Sequence, residues 1–191
     1  MAAVCVFCAS SSTLEPRWLD LAARTGQELA ARGHTLVSGG GRVGMMGAVA
    51  DAARAGGAHT LGVIPQTLVD LEIADTAADE LIVTADMGAR KNLMIERSEA
   101  FLALPGGLGT LDELFEAITL VQTRKVTRFP VILMGTAYWS GLMDWIKQTL
   151  LSEGKISPED LDLVQMTDDI DEAVQIILTA DAALAEANGK R

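Results

Sequence analysis

The stretch HTLVSGGGRVGMMG, residues 34–47, decides how the chain folds. It opens on a short apolar run with strand character, passes through Gly39, Gly40 and Gly41, and closes on an apolar-rich segment with helical spacing. Gly39, Gly41 and Gly44 therefore stand between a strand and a helix in the order G-x-G-x-x-G, where bare backbone can come close to a phosphate. The pattern alone leaves a structural turn, a dinucleotide site and a mononucleotide phosphate site open. A dinucleotide site needs an acid near the end of the following strand to hold the ribose diol, and that strand ends GVIPQ at 62–66. NAD and FAD are thereby disfavoured, and no cofactor is expected.

Working outward, apolar runs recur at 3–9, 34–38, 59–64, 80–84, 99–104 and 130–134, with a further strand near 163–166. Trp18, Leu21, Ala22, Thr25 and Leu29 share one helical face, and that helix should end near Gly33. Further helices are expected from Arg90 and Lys91 onward, over 111–122, over 139–151 and from about 168; residues 65–79 read as a polar connection. Strands that are apolar almost throughout, alternating with amphipathic helices, must be covered on both sides. The expected class is α/β: a Rossmann-like open parallel sheet with helices on both faces, in a single domain over residues 1–191.

The composition narrows the function. With 191 residues, 49% of them apolar, the chain can bury one substantial core. Its net charge is −11, and residues 151–191 hold ten acids against three bases. That acidity argues against nucleic acid or an anionic membrane as partner, so any anion site must be local. No long apolar span or signal-like start is read from the sequence, and a cytoplasmic protein is expected. Cys5 and Cys8 lie in a strand, on opposite faces, and read as core thiols. His34 and His59 lack ligand-like spacing, so no metal site is expected.

A second glycine loop, LPGGLGTLDELFE at 104–116, also runs from a strand into a helix. Gly106, Gly107 and Gly109 let the backbone approach a ligand, and Thr110 adds a hydroxyl where helix N–H groups project. The lysine of a Walker loop is absent. Glu113 has two open readings: the carboxylate of a capping box with Thr110 at the N-cap, or an acid facing a ligand. Glu116, one turn on, can share its face. Arg90 and Lys91, in MGARKNLM at 87–94, read either as a solvated basic pair or as charge facing the crevice between the loops. Ser10 or Ser11, after the first strand, either meets a phosphate or caps the next helix.

Taken together, SGGGRVGMMG, ARKNLM and PGGLGTLDELFE strongly resemble the LOG (Lonely Guy) family over roughly residues 3 to 178. The resemblance implies a phosphoribohydrolase that cleaves the N-glycosidic bond of cytokinin riboside 5′-monophosphates, and possibly AMP, giving the free base and ribose 5-phosphate. It places the catalytic pair at Arg90 and Glu113. It implies that the glycine loops, through Gly40, Gly41, Gly106, Gly107 and Gly109, hold the phosphate with Thr110. Ser10, Met87, Lys91 and Glu116 are the further substrate contacts expected, Glu116 at the ribose. A homodimer is also implied. The chain departs from the family pattern at Ala9, Gly88 and Leu120. The competing reading is a non-catalytic carrier of nucleotides or of molybdenum cofactor on the same fold. The decarboxylase label attached to such sequences lacks chemical support: of five lysines only Lys91 lies in a motif, beside an arginine.

Overall fold

A computed structural model of the chain describes residues 1–71, 73–123 and 129–189, with side chains described as far as residue 180. Seven parallel strands form one sheet: β1 (Ala3–Phe7), β2 (Thr35–Ser38), β3 (Thr60–Pro65), β4 (Glu80–Thr84), β5 (Ala100–Ala103), β6 (Val131–Met134) and β7 (Val164–Thr167). Their order is β4-β3-β2-β1-β5-β6-β7. The chain winds outward from β1 to one edge, then returns to the other side of β1 for β5 to β7. Loops leaving the carboxyl ends of β1, β2 and β5 diverge at that reversal and open a crevice between them.

The helices are α1 (Pro16–Ala31), α2 (Gly44–Ala55), α3 (Gln66–Val69), α4 (Met87–Glu96), α5 (Leu108–Gln122), α6 (Thr136–Trp145) and α7 (Ile170–Gly189). Their apolar faces cover the sheet on both sides, as alternating side chains require. In β1, Val4 and Val6 enter the core shared with Ala22 of α1, Val49 of α2 and Val174 of α7. Cys5 and Phe7 enter the opposite core with Met94 of α4, Leu114 of α5 and Trp139 of α6. Cys8 joins the first cluster, so the two thiols do face opposite sides. Both are unpaired and buried, and burial pushes both thiols far above their ordinary pKa. The parallel α/β architecture expected from the apolar runs is the one observed.

The differences are local. The helix carrying Arg90 begins at Met87 because Asp86 caps it, accepting the Ala89 N–H at 2.8 Å. The helix expected over 139–151 starts at Thr136 and continues from Ile146 to Leu151 with π-helical winding. Ser10 and Ser11 do not cap α1, which follows Glu15 and starts on Pro16. The connection after β3 holds the short α3, and its Ala74 pairs with Gly41 as an isolated antiparallel bridge. Among the described residues no helix is long and apolar enough to cross a membrane.

Candidate active site

The three loops at the sheet reversal enclose a cavity of about 670 Å³, within the range of small-ligand sites. Cys8 to Ser12 after β1, Gly39 and Gly41 after β2, and Gly107 to Thr110 at the start of α5 line it. Met87 and Arg90 of α4 and Glu113 of α5 close one side.

Arg90 is the side chain that ties these elements together. It is only 4% exposed, which an arginine tolerates only with its donors engaged. Its Nε donates to the Val63 carbonyl on β3 at 3.0 Å, and its Nη1 donates to Glu113 Oε1 at 2.6 Å. Gly39 makes room for it: a β-carbon there would lie 1.8 Å from Arg90 Nη2. Glu113 is 8% exposed. Burial pushes its carboxyl above the ordinary value, and the neighbouring guanidinium opposes that rise without cancelling it. The crevice therefore holds a carboxylate with a fixed orientation and an elevated proton affinity, a combination typical of working acids and bases.

The start of α5 corrects the capping-box reading. The helix begins at Leu108 with Gly107 as N-cap, so Thr110 is in its first turn and Glu113 is beyond it. Glu113 is consequently too far along to reach back to the N-cap, and its oxygen meets Arg90 instead. Thr110 packs back onto the loop: a β-carbon on Gly106 would come within 2.1 Å of its hydroxyl oxygen. Amide groups in the first turn of α5 lack intrahelical acceptors and, with the helix dipole, favour an anion at Gly107 to Thr110.

Of the residues expected to contact substrate, Ser10, Gly41, Met87, Gly107, Gly109 and Thr110 line the cavity beside Arg90 and Glu113. Gly40, Gly106, Lys91 and Glu116 are outside its lining. Gly40 packs over β3, where a β-carbon would sit 3.1 Å from Val63 and Ile64. Lys91 turns away from the cavity and bridges Asp112 Oδ2 at 2.9 Å and Glu116 Oε2 at 2.8 Å. Adjacent residues of α4 thus grip successive turns of α5, Arg90 inside and Lys91 outside. The apolar wall is made by Met46, Ile64, Leu68 and Ile73; Leu68 and Ile73 come from the 65–79 segment, which the sequence reading takes only as a polar connection. A second hollow of about 460 Å³, between β7 and α7, is lined by Asp162 and Glu172, with no basic side chain among the described residues that line it.

A family described as "Possible lysine decarboxylase" matches residues 46–177. Over 172 residues the chain is 46% identical to the cytokinin riboside 5′-monophosphate phosphoribohydrolase of Mycobacterium tuberculosis, covering 90% of this chain and 91% of that one. The chain belongs to the LOG family. The phosphoribohydrolase LOG7 of Arabidopsis thaliana, another member, is 46% identical over 156 residues, 81% of this chain and 71% of its own. The LOG fold extends further. The molybdenum cofactor carrier protein of Chlamydomonas reinhardtii superposes with a TM-score of 0.73 over 94% of this chain and 98% of its own, at 24% identity. At that identity the likeness concerns the fold alone. The decarboxylase description fits this LOG site poorly, because no lysine lines the crevice among the described residues and a pyridoxal enzyme needs one there.

Proposed function

We propose that the chain hydrolyses the N-glycosidic bond of cytokinin riboside 5′-monophosphates and of AMP, releasing the base and ribose 5-phosphate. The observation that carries this reading is the buried Arg90–Glu113 pair, set beside a helix N-terminus in the crevice. Holding a phosphate does not require a carboxylate, and an acid next to an anion site repels a ligand unless it serves the chemistry. This weighs against a passive carrier. Identity of 41–46% to relatives named as phosphoribohydrolases adds support.

In this reading the phosphate sits on the amides of Gly107 to Thr110 and against Ser10 and Gly41. The ribose extends from there toward Glu113. As the bond from C1′ to the base nitrogen lengthens, positive charge grows on C1′, and the Glu113 carboxylate stabilises it and accepts a proton from the attacking water. The water oxygen bonds to C1′ as the base departs with the bonding electrons, and the proton taken up by Glu113 passes to the base, restoring the carboxylate. Arg90 keeps Glu113 ionised and aimed. Lys91 and Glu116 act at one remove, aligning α4 with α5.

We further propose a cytoplasmic homodimer. Unpaired Cys5 and Cys8 suit a reducing compartment, and α5 leaves Leu111, Phe115 and Leu120 only partly buried around a hollow on its outer side. Light scattering on the purified protein tests the pairing. The activity is tested by incubation with isopentenyladenosine monophosphate and with AMP, followed by chromatography. Equal amounts of free base and ribose 5-phosphate are expected, and intact nucleotide after prolonged incubation would reject the proposal.

A further inference from the structure

The aromatic cluster at the start of α6 is not used by the chemistry above, yet it reaches the glycine loop. Tyr138 donates its hydroxyl to the Gly106 carbonyl at 2.6 Å. Its ring is held edge-on by Trp18 of α1 at 6.1 Å and by Trp139 at 5.0 Å between centroids. Trp139 is itself fixed, being buried and donating Nε1 to the Met134 carbonyl at 3.1 Å. The preceding turn packs on the loop as well, since a β-carbon on Gly135 would contact the Pro105 ring at 3.4 Å. The Pro105 carbonyl accepts the Ala9 N–H at 3.3 Å. Two successive carbonyls of the loop are therefore held by donors from outside it.

The second of these matters because of peptide geometry. The Gly106 carbonyl and the Gly107 N–H belong to one planar trans unit and point in opposite directions. Glycine on both sides makes this unit the easiest in the loop to turn over. Tyr138 and Gly106 are outside the cavity lining and Gly107 is part of it, an arrangement that fits a carbonyl held outward by Tyr138 and an N–H facing the crevice. The opposite orientation would present a carbonyl oxygen to an anion. We propose that Tyr138 is a positioning residue for the substrate phosphate, its hydroxyl locking the Gly106–Gly107 peptide with the amide facing the nucleotide. This rests on the phosphate placement proposed above, but not on turnover.

The test compares wild type with Tyr138→Phe by calorimetric binding of ribose 5-phosphate, AMP and adenosine, alongside thermal melting and kinetics. Losing one such hydrogen bond should weaken both phosphate-bearing ligands roughly tenfold. Adenosine, which lacks the phosphate, should bind as before, KM should rise more than kcat falls, and melting should hardly move. Unchanged affinity for ribose 5-phosphate, equal weakening of adenosine and AMP, or a variant that fails to fold would each overturn the proposal. If wild type binds ribose 5-phosphate but never releases base, the proposed activity falls while this inference stands. If wild type binds no ribose 5-phosphate, the inference falls.

Discussion

Gly39 leaves open the space that the Arg90 guanidinium fills: a β-carbon at position 39 would stand 1.8 Å from Arg90 Nη2. The guanidinium cannot retreat freely, because it is bonded to Val63 and Glu113. Gly39→Ala should therefore leave the sheet intact but displace Arg90 and release Glu113. We expect at least a tenfold fall in kcat/KM, about 1.4 kcal/mol of transition-state stabilisation, with the sheet's circular dichroism unchanged. Full activity in Gly39→Ala would mean that the position of Arg90 is not critical.

Glu113→Gln separates chemistry from packing. The amide oxygen can still accept from Arg90, so stability should stay within about 2 kcal/mol of wild type. Hydrolysis should drop by at least about a hundredfold, the usual scale for removing a positioned acid or base. Chromatographic assay with matched melting curves measures both, and a fully active Glu113→Gln protein would remove Glu113 from the mechanism.

The raised Glu113 pKa has a definite sign. Burial makes the native state hold this proton more tightly than the unfolded chain, whose carboxyl titrates near its ordinary value of 4.5. As pH climbs from there through the raised value, ionisation costs the native state more, and stability falls across that window. Wild type should therefore lose stability relative to Glu113→Gln over this interval and not below it. Isotope-edited NMR titration of the side chain should place its midpoint above 4.5. Replacing Arg90 with Ala removes the opposing charge and should move the midpoint higher still, whereas a fall would contradict the assigned causes.

Lys91 should matter far less than its neighbour. Its contacts run to Asp112 and Glu116, which are partly exposed, and such pairs contribute at most about 1 kcal/mol. Lys91→Ala is expected to lower melting slightly and change KM less than threefold. A hundredfold rise in KM, read from steady-state kinetics, would place Lys91 at the substrate after all.

The parallel sheet was legible because buried strands declare themselves by unbroken apolar runs such as VILM at 131–134 and AFLA at 100–103. The glycine loops were legible for the same local reason. The start of α5 was not. Spacing from Thr110 to Glu113 imitates a capping box, and only the tertiary pull of Arg90, remote in sequence, shows why the acid lies elsewhere. Adjacent Arg90 and Lys91 looked alike in sequence, yet the turn of α4 sends one inward and the other out. The contribution of Tyr138 carried no motif at all, because a tyrosine hydroxyl meeting a distant backbone carbonyl leaves no pattern in spacing.

The most direct test is a crystal structure of the Glu113→Gln protein with AMP bound. The account predicts phosphate oxygens on the amides of Gly107 to Thr110 and C1′ next to the side chain at position 113. Phosphate bound elsewhere, or a sugar turned away from that side chain, would contradict it.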